Sequence, residues 1–215
     1  MKSNVEIIQD TIEQIVNQKK IDMWDQFFSP DYVARGAPFI GMGFSRDTSG
    51  NKHIIHMVFP GSPADGKLEE GDELLWVEDG NKRWETHKEI EQGLRGRKYK
   101  VGIRRGNQNL EYELTRGLLR GLDTHTDQAK SEMREFMTKQ YPDLQAAIKL
   151  ILGDGDMVVC LLEYCGTHAK FDREVVWREA WFARLFEGKI VEGWPVIDES
   201  SFYKHIGYKM IPPRA

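Results

Sequence analysis

Gly41-Met42-Gly43-Phe44 sets two glycines one residue apart, and that spacing lets successive backbone N–H groups converge on a single point. Such a nest holds a carboxylate, with Met42 and Phe44 as apolar walls. A strand leaving it, beginning at Ser45, can pair with an extended peptide whose terminal carboxylate occupies the nest. Other chemistries find less material. His53 and His56 face opposite sides of one strand, and neither an H-E-x-x-H nor a paired C-x-x-C is present, so no metal site is expected. There is no G-x-S-x-G and no phosphate-binding loop. Cys160 and Cys165 lie five apart in a strand-like run, where roughly 17 Å and opposite faces keep them from bonding to each other.

The chain of 215 residues, 40% hydrophobic and 30% charged, has room for one large domain or two small ones. Its formal net charge is -4, and the densest basic cluster, Arg95-Gly-Arg97-Lys98, reads as a solvated helix end. Nucleic acid is therefore not expected as a partner, because phosphate binding needs a basic face. Residues 1–20 carry acids in an amphipathic pattern instead of an apolar core, unlike a signal peptide, and no apolar run approaches the roughly 20 residues that span a bilayer. Together with the reduced cysteines, this predicts a cytoplasmic protein without a membrane partner.

Along the chain, Val5, Ile8, Ile12, Ile15 and Val16 repeat at helical spacing behind Ser3. Trp24, Phe27 and Phe28 continue as a short second helix that Ser29-Pro30 stops, and Asp31–Ala34 begins a strand. Between Gly36 and Gly117 the texture changes. Short runs (54–59, 73–77, 100–104 and 110–114) alternate with Pro60-Gly61, Asp79-Gly80 and Gly106-Asn107, with one helical stretch at 86–94. Helical character returns at Asp123, with Ala129, Met133, Phe136 and Met137 on one face, until Pro142. Strands are predicted at 144–152, 157–168, 175–186 and 190–197. The run 157–162 is apolar at every position, which asks for cover on both faces, one from another subunit. Neither outer segment makes a sensible domain alone, so the middle reads as an insertion.

The middle resembles the PDZ family over about 80 residues. Gly41–Phe44 is similar to its carboxylate-binding loop, and Gly61–Gly80 to its GSPA…GL…GD.I..VNG stretch. Thr86–Ile90 matches the start of its second helix and Lys100–Arg116 its closing strands. The resemblance implies that N–H groups of Met42, Gly43 and Phe44 hold a peptide carboxylate, and that Met42, Phe44, Ile90 and Leu94 line the pocket for the last side chain. Ser45 would open the pairing strand, and His87 would bond a hydroxyl two residues before the peptide terminus. The implied partner is a protein C-terminus. The chain departs from the pattern in its weakly marked first strand, Pro38-Phe39-Ile40, and in Glu91, which falls among groove positions.

The outer segments resemble the SnoaL-like polyketide cyclases of the nuclear-transport-factor-2-like superfamily. Asp25–Gly36 is similar to the family's F.PDYV.HG segment, Tyr141–Leu144 to FPDL, Gly153–Val159 to GD.V, Gly166–His168 to GTH and Phe182–Trp194 to FRFEDGKIVEHW. The implied fold class is α+β. A cone-shaped curved antiparallel sheet wraps helices, and a PDZ-type small β-barrel or sandwich with one main helix is inserted into it. Domain bounds of 1–37 plus 118–215 for the host and 38–117 for the insert follow. The resemblance further implies a homodimer through the sheet and cofactor-free acid–base chemistry in a pocket. Pocket or catalytic candidates are Tyr32, Arg35, His168, Arg184 and Asp198, among Trp24, Trp177, Trp181 and Trp194. Pro195 stands where the family carries an acid after its HW pair, and Gly193 replaces the histidine. Two readings follow. In one, a PDZ groove binds a C-terminal peptide by strand addition and the cone binds a small hydrophobic molecule. In the other, the cone is a cyclase, isomerase or lyase acting on a carbonyl or polyketide-like substrate, docked or gated by the PDZ module.

Overall fold

The N-terminal amphipathic run opens at Ser3, whose hydroxyl accepts from Glu6 N–H while Glu6 reaches back to Ser3 N–H. This capping box satisfies two donors that a helix start leaves orphaned. The helix it launches, α1 (Asn4–Thr11), widens into a π turn over Ile12–Asn17 and buries Ile8, Ile12, Ile15 and Val16 on one side. The computed structural model describes residues 2–47, 52–80, 82–84 and 95–207. The chain divides into two compact units, 1–37 with 123–215, and 38–122.

In the first unit α2 (Trp24–Phe27) ends where Phe28 turns extended, and β1 (Phe28–Ala34) follows. After the insertion come β10 (Thr124–His125), α3 (Thr126–Glu135) and a π turn to Gln140 that stops before Pro142. Four long strands complete the unit: β11 (Gln145–Asp154), β12 (Met157–His168), β13 (Arg173–Phe186) and β14 (Lys189–Ile197), with α4 (Glu199–His205) last. Sheet order is β10-β1-β14-β13-β12-β11, antiparallel except for the β1–β14 pair. The fold is thus mixed α+β, a curved sheet with its helices on one face. Ile8, Ile15, Met137 and Leu144 pack there against Val158, Leu162, Trp177 and Leu185. Strand β12 alternates buried and half-buried residues, so within this chain only one of its faces is fully covered. The opposite face of the sheet leaves Leu150, Leu152, Phe182, Phe186 and Val196 exposed.

The second unit holds β2 (Phe39–Gly41), β3 (Phe44–Asp47), β4 (Ile54–Val58), β5 (Glu73–Asp79), β6 (Lys82–Trp84), β7 (Lys98–Arg105), β8 (Gln108–Thr115) and β9 (Gly117–Leu119). Strands β3-β4-β5-β7-β8 form an open sheet with β6 on β5, and β2 pairs with β9. The sheet does not close into a barrel. Ile55, Leu74, Val77, Val101, Ile103 and Leu114 form its core. Because β9 completes the pair with β2, the compact unit extends to Leu122, five residues beyond the expected bound at 117.

Candidate functional site

Side chains alternate across a strand, so β13 sends Val175, Trp177, Glu179, Trp181, Ala183 and Leu185 to the helix-covered face. Five of these six are buried and apolar; the sixth is a carboxylic acid. Register holds it there. Glu179 pairs with Leu162 in the middle of β12 on one side and, on the other, with Ile197, the last residue of β14.

Two aromatic clusters bracket Glu179. On one side Trp181 stands 6.4 Å from Phe28, which stacks on Trp24 at 3.7 Å and meets Tyr32 edge-on at 4.8 Å. On the other side Trp177 stacks on Tyr164 at 5.0 Å and touches Phe136, Tyr141 and Phe202 of α4. Glu179 itself is half-buried, with no hydrogen bond or ion pair to a described residue. Burial without a compensating donor disfavours the charged form, and its pKa is raised to about 7. The same burial, with the Glu179 charge added, holds the Tyr32 and Tyr164 phenols well above their usual range and pushes the Cys160 thiol up to about 12. At neutral pH the three are therefore protonated, and the carboxyl alone exchanges its proton.

The sequence-predicted candidates separate. Tyr32, Trp177 and Trp181 lie on this interior face, with Trp24 beside them. Arg184 and Trp194 do not. Their register partners are Glu192 and Phe182, all on the opposite face, where the Arg184 guanidinium sits 5.4 Å over the Trp194 ring and bonds Glu192 at 2.6 Å. Arg35 is likewise corrected from pocket to ion network: it bonds Glu192 and Asp123, the latter at 2.6 Å. Asp198 is the N-cap of α4, exposed and accepting from Ser201 N–H, Ser201 Oγ and Ser200 Oγ. Those bonds lower its pKa and keep it a charged cap, not a proton carrier. His168 ends β12 and accepts from Lys170 N–H, its ring against Tyr141 and Phe171. Glu179 is not among the sequence candidates, because it lies outside the family motif positions that supply them. The signal was the lone acid in the inward register V-x-W-x-E-x-W-x-A-x-L.

In the second unit, Gly43 has φ +95, the left-handed conformation that favours glycine, and its carbonyl accepts from Phe59 N–H and Ser62 Oγ. A Cβ there would lie 2.0 Å from Ser62 Oγ. Gly41 closes β2 and Met42 is buried in the unit's core with Phe44 against it. Ser45 lies on β3, an edge strand of its sheet among the described residues, with its hydroxyl 3.4 Å from the His56 ring nitrogens. His87, Ile90 and Leu94 lie outside the described residues. Among the described residues no three His, Cys, Asp or Glu gather as metal ligands, and no helix is long and apolar enough to cross a membrane.

Known proteins similar to this chain are of two kinds. Residues 108–206 match the SnoaL-like polyketide cyclase family model. IdmH of Streptomyces antibioticus, a candidate polyketide cyclase, is 13% identical with a TM-score of 0.50, covering 96% of this chain and 100% of its own. AclR, a candidate hydroxylase from Streptomyces galilaeus, is 25% identical over 40% of this chain and 69% of its own, with a TM-score of 0.38. The PDZ domain of the carboxy-terminal protease from Vibrio cholerae, solved with peptide, is 18% identical over 39% of this chain and 99% of its own, with a TM-score of 0.35. No curated protein matches the chain. The chain thus shares its α+β fold with SnoaL-like proteins.

The interior acid has a thermodynamic signature. Its folded pKa of about 7 lies above its unfolded value near 4.5, so between those pH values the folded chain holds a proton that the unfolded chain has released. Its contribution to stability is fully present below pH 4.5, is lost as pH rises through 7, and then levels off. Tyr32, Tyr164 and Cys160, which surround the acid, stay neutral throughout that window. Denaturant unfolding at pH 5 and pH 8 is expected to show wild type losing on the order of 2–3 kcal/mol relative to Glu179→Gln. Equal pH dependence of the two chains contradicts the assignment.

Proposed function

We propose that the SnoaL-like unit binds a small hydrophobic carbonyl compound and moves a proton at the carbon beside the carbonyl, with Glu179 as the general acid–base. The observation that carries this is a carboxyl with no partner among the described residues, set between Trp177 and Trp181 where every other inward side chain of β13 is buried and hydrophobic. The rings supply flat apolar surface for a carbon skeleton. A carboxyl that titrates near neutrality is present as base and as conjugate acid in comparable amounts. In the step, the α-carbon–hydrogen bond breaks, the proton passes to the Glu179 carboxylate, and the electron pair moves through the new carbon–carbon double bond onto the carbonyl oxygen. Return of the proton to a different carbon gives isomerisation; attack of the enolate carbon on a second carbonyl gives ring closure. This is the chemistry of the SnoaL-like cyclases carried by a different acid, which agrees with Pro195 standing where their motif has one.

For the smaller unit we propose capture of a protein C-terminus. Supporting it are the left-handed Gly43 in the Gly41–Phe44 turn and the edge strand β3 that leaves this turn, the arrangement strand addition requires.

Two measurements test these readings. Deuterium exchange at the α-carbons of 2-tetralone, a bicyclic aromatic ketone, followed by proton NMR, is expected to be accelerated by the protein. The acceleration should rise with pH to a plateau above about 7. Glu179→Gln should lose about 10²–10⁴-fold of it; retention of the wild-type acceleration in that variant rejects the base. For the smaller unit, fluorescence polarisation with peptides ending in an apolar residue should show binding of the free carboxylate that amidation weakens about tenfold or more. Equal binding of the acid and the amide rejects the nest.

A further inference from the structure

Tyr141 Oη, beside Trp177, is buried without a hydrogen-bond partner, and two further polar atoms of the interior that have none among the described residues share one location. Gly193 on β14 pairs with Ala34 of β1 on one side and Ala183 of β13 on the other. Tyr32 and Trp181, each two residues from those partners, lean over it from the two neighbouring strands. A Cβ built on Gly193 would lie 2.6 Å from Tyr32 Oη and 2.8 Å from Trp181 Nε1. The hydroxyl and the indole N–H therefore meet over a bare Cα, near enough for one oxygen atom to accept from both.

Both side chains are buried, at 5% and 8% exposure, yet neither polar atom donates to a described residue. Buried donors are paired in folded proteins as a rule, and two unpaired donors that both lie within 3 Å of one point ask for an acceptor that the described residues do not supply. The indole nitrogen can only donate, and the Tyr32 phenol, kept neutral by burial, retains its proton. Glycine is what the position requires: any Cβ would fill the space between the donors.

We propose that Tyr32 Oη and Trp181 Nε1 form a two-donor cradle over Gly193 for the carbonyl oxygen of the bound compound, and for the oxyanion that oxygen becomes when the α-proton leaves. The proposal rests on the reading of Glu179 as base and deepens it, because it names what receives the negative charge. Glu179 and Trp181 are two residues apart on one face of β13, roughly 7 Å between Cα atoms, which sets the base beside the donors along the strand. Charge that develops on oxygen meets donors already in place, and no reorganisation is needed. The cradle also narrows the substrate class. An oxygen bearing lone pairs beside an acidic C–H is required, so a hydrocarbon or a cationic amine of the same size gains nothing from it.

The test uses the full chain carrying Glu179→Gln, whose neutral amide stands in for the acid after proton transfer. The probes are 4-nitrophenolate at pH 8.5 and 4-nitrotoluene, which matches it in size and lacks the charge, both followed by calorimetry. The phenolate is expected to bind at least about tenfold tighter. Adding Tyr32→Phe should cut that preference about tenfold and leave 4-nitrotoluene within about twofold. Gly193→Ala should abolish the preference, and the conservative Tyr32→Phe keeps the test intact should the alanine chain fail to fold. No preference for phenolate, or a preference that Tyr32→Phe leaves unchanged, overturns the cradle. Failure of the base is read separately: loss of exchange in Glu179→Gln without phenolate preference keeps the base and removes the cradle, and the converse keeps the donors and removes the base.

Discussion

A carboxyl group held among aromatic rings without a donor is costly to ionise, and the host unit is arranged around that cost. The pairing of β13 with β12 along its length and with β14 up to Ile197 fixes the register that places Glu179 inward, between the buried Trp177 and Trp181. Helix α1 with its π turn, together with α3 and α4, presses Ile8, Ile15, Met137 and Phe202 onto the same face. A one-residue slip of β13 would exchange the whole interior set for Val176, Arg178, Ala180, Phe182 and Arg184. The long antiparallel pairings with β12 and β14 exclude that slip. Stability contributed by a large apolar core offsets the cost of the acid that the core leaves without a donor among the described residues.

The outer face of the sheet follows the opposite rule. Glu192 bonds both Arg35 and Arg184, Arg184 reaches Asp156, and Glu163 bridges Lys149 and Arg178. Each of these charges is half-buried or exposed and has an opposite charge within reach. Pairs of that kind contribute about 0–1 kcal/mol each and perturb proton affinity far less than burial does. Paired charges thus line the outer face, and the acid without a partner among the described residues lies inside.

The fold was legible in the sequence to the extent that its periodicities were strong. The helical spacing of Val5–Val16 and the runs at 157–168 and 175–186 became α1, β12 and β13 because apolar period and turn chemistry agreed. The interior was only partly legible. Tyr32, Trp177 and Trp181 were marked and lie there. Arg184, Trp194 and Asp198 were marked by family motif and lie elsewhere, although a two-residue count from Trp181 already turns Arg184 outward. The same count finds Glu179. What no count along one strand reveals is the meeting of Tyr32 and Trp181 over Gly193, since that depends on the parallel pairing of β1 with β14, which joins segments about 160 positions apart in the chain.

Burial, and not an ionic partner, brings the ionisation of Glu179 to neutrality. Carbon-13 NMR of side-chain carboxyls in uniformly labelled protein follows each glutamate through pH, and the resonance missing from Glu179→Gln identifies this one. A midpoint near pH 7 for that resonance is the result predicted. A midpoint near 4.5, with the other glutamates, would show a solvated or paired acid and contradict the account.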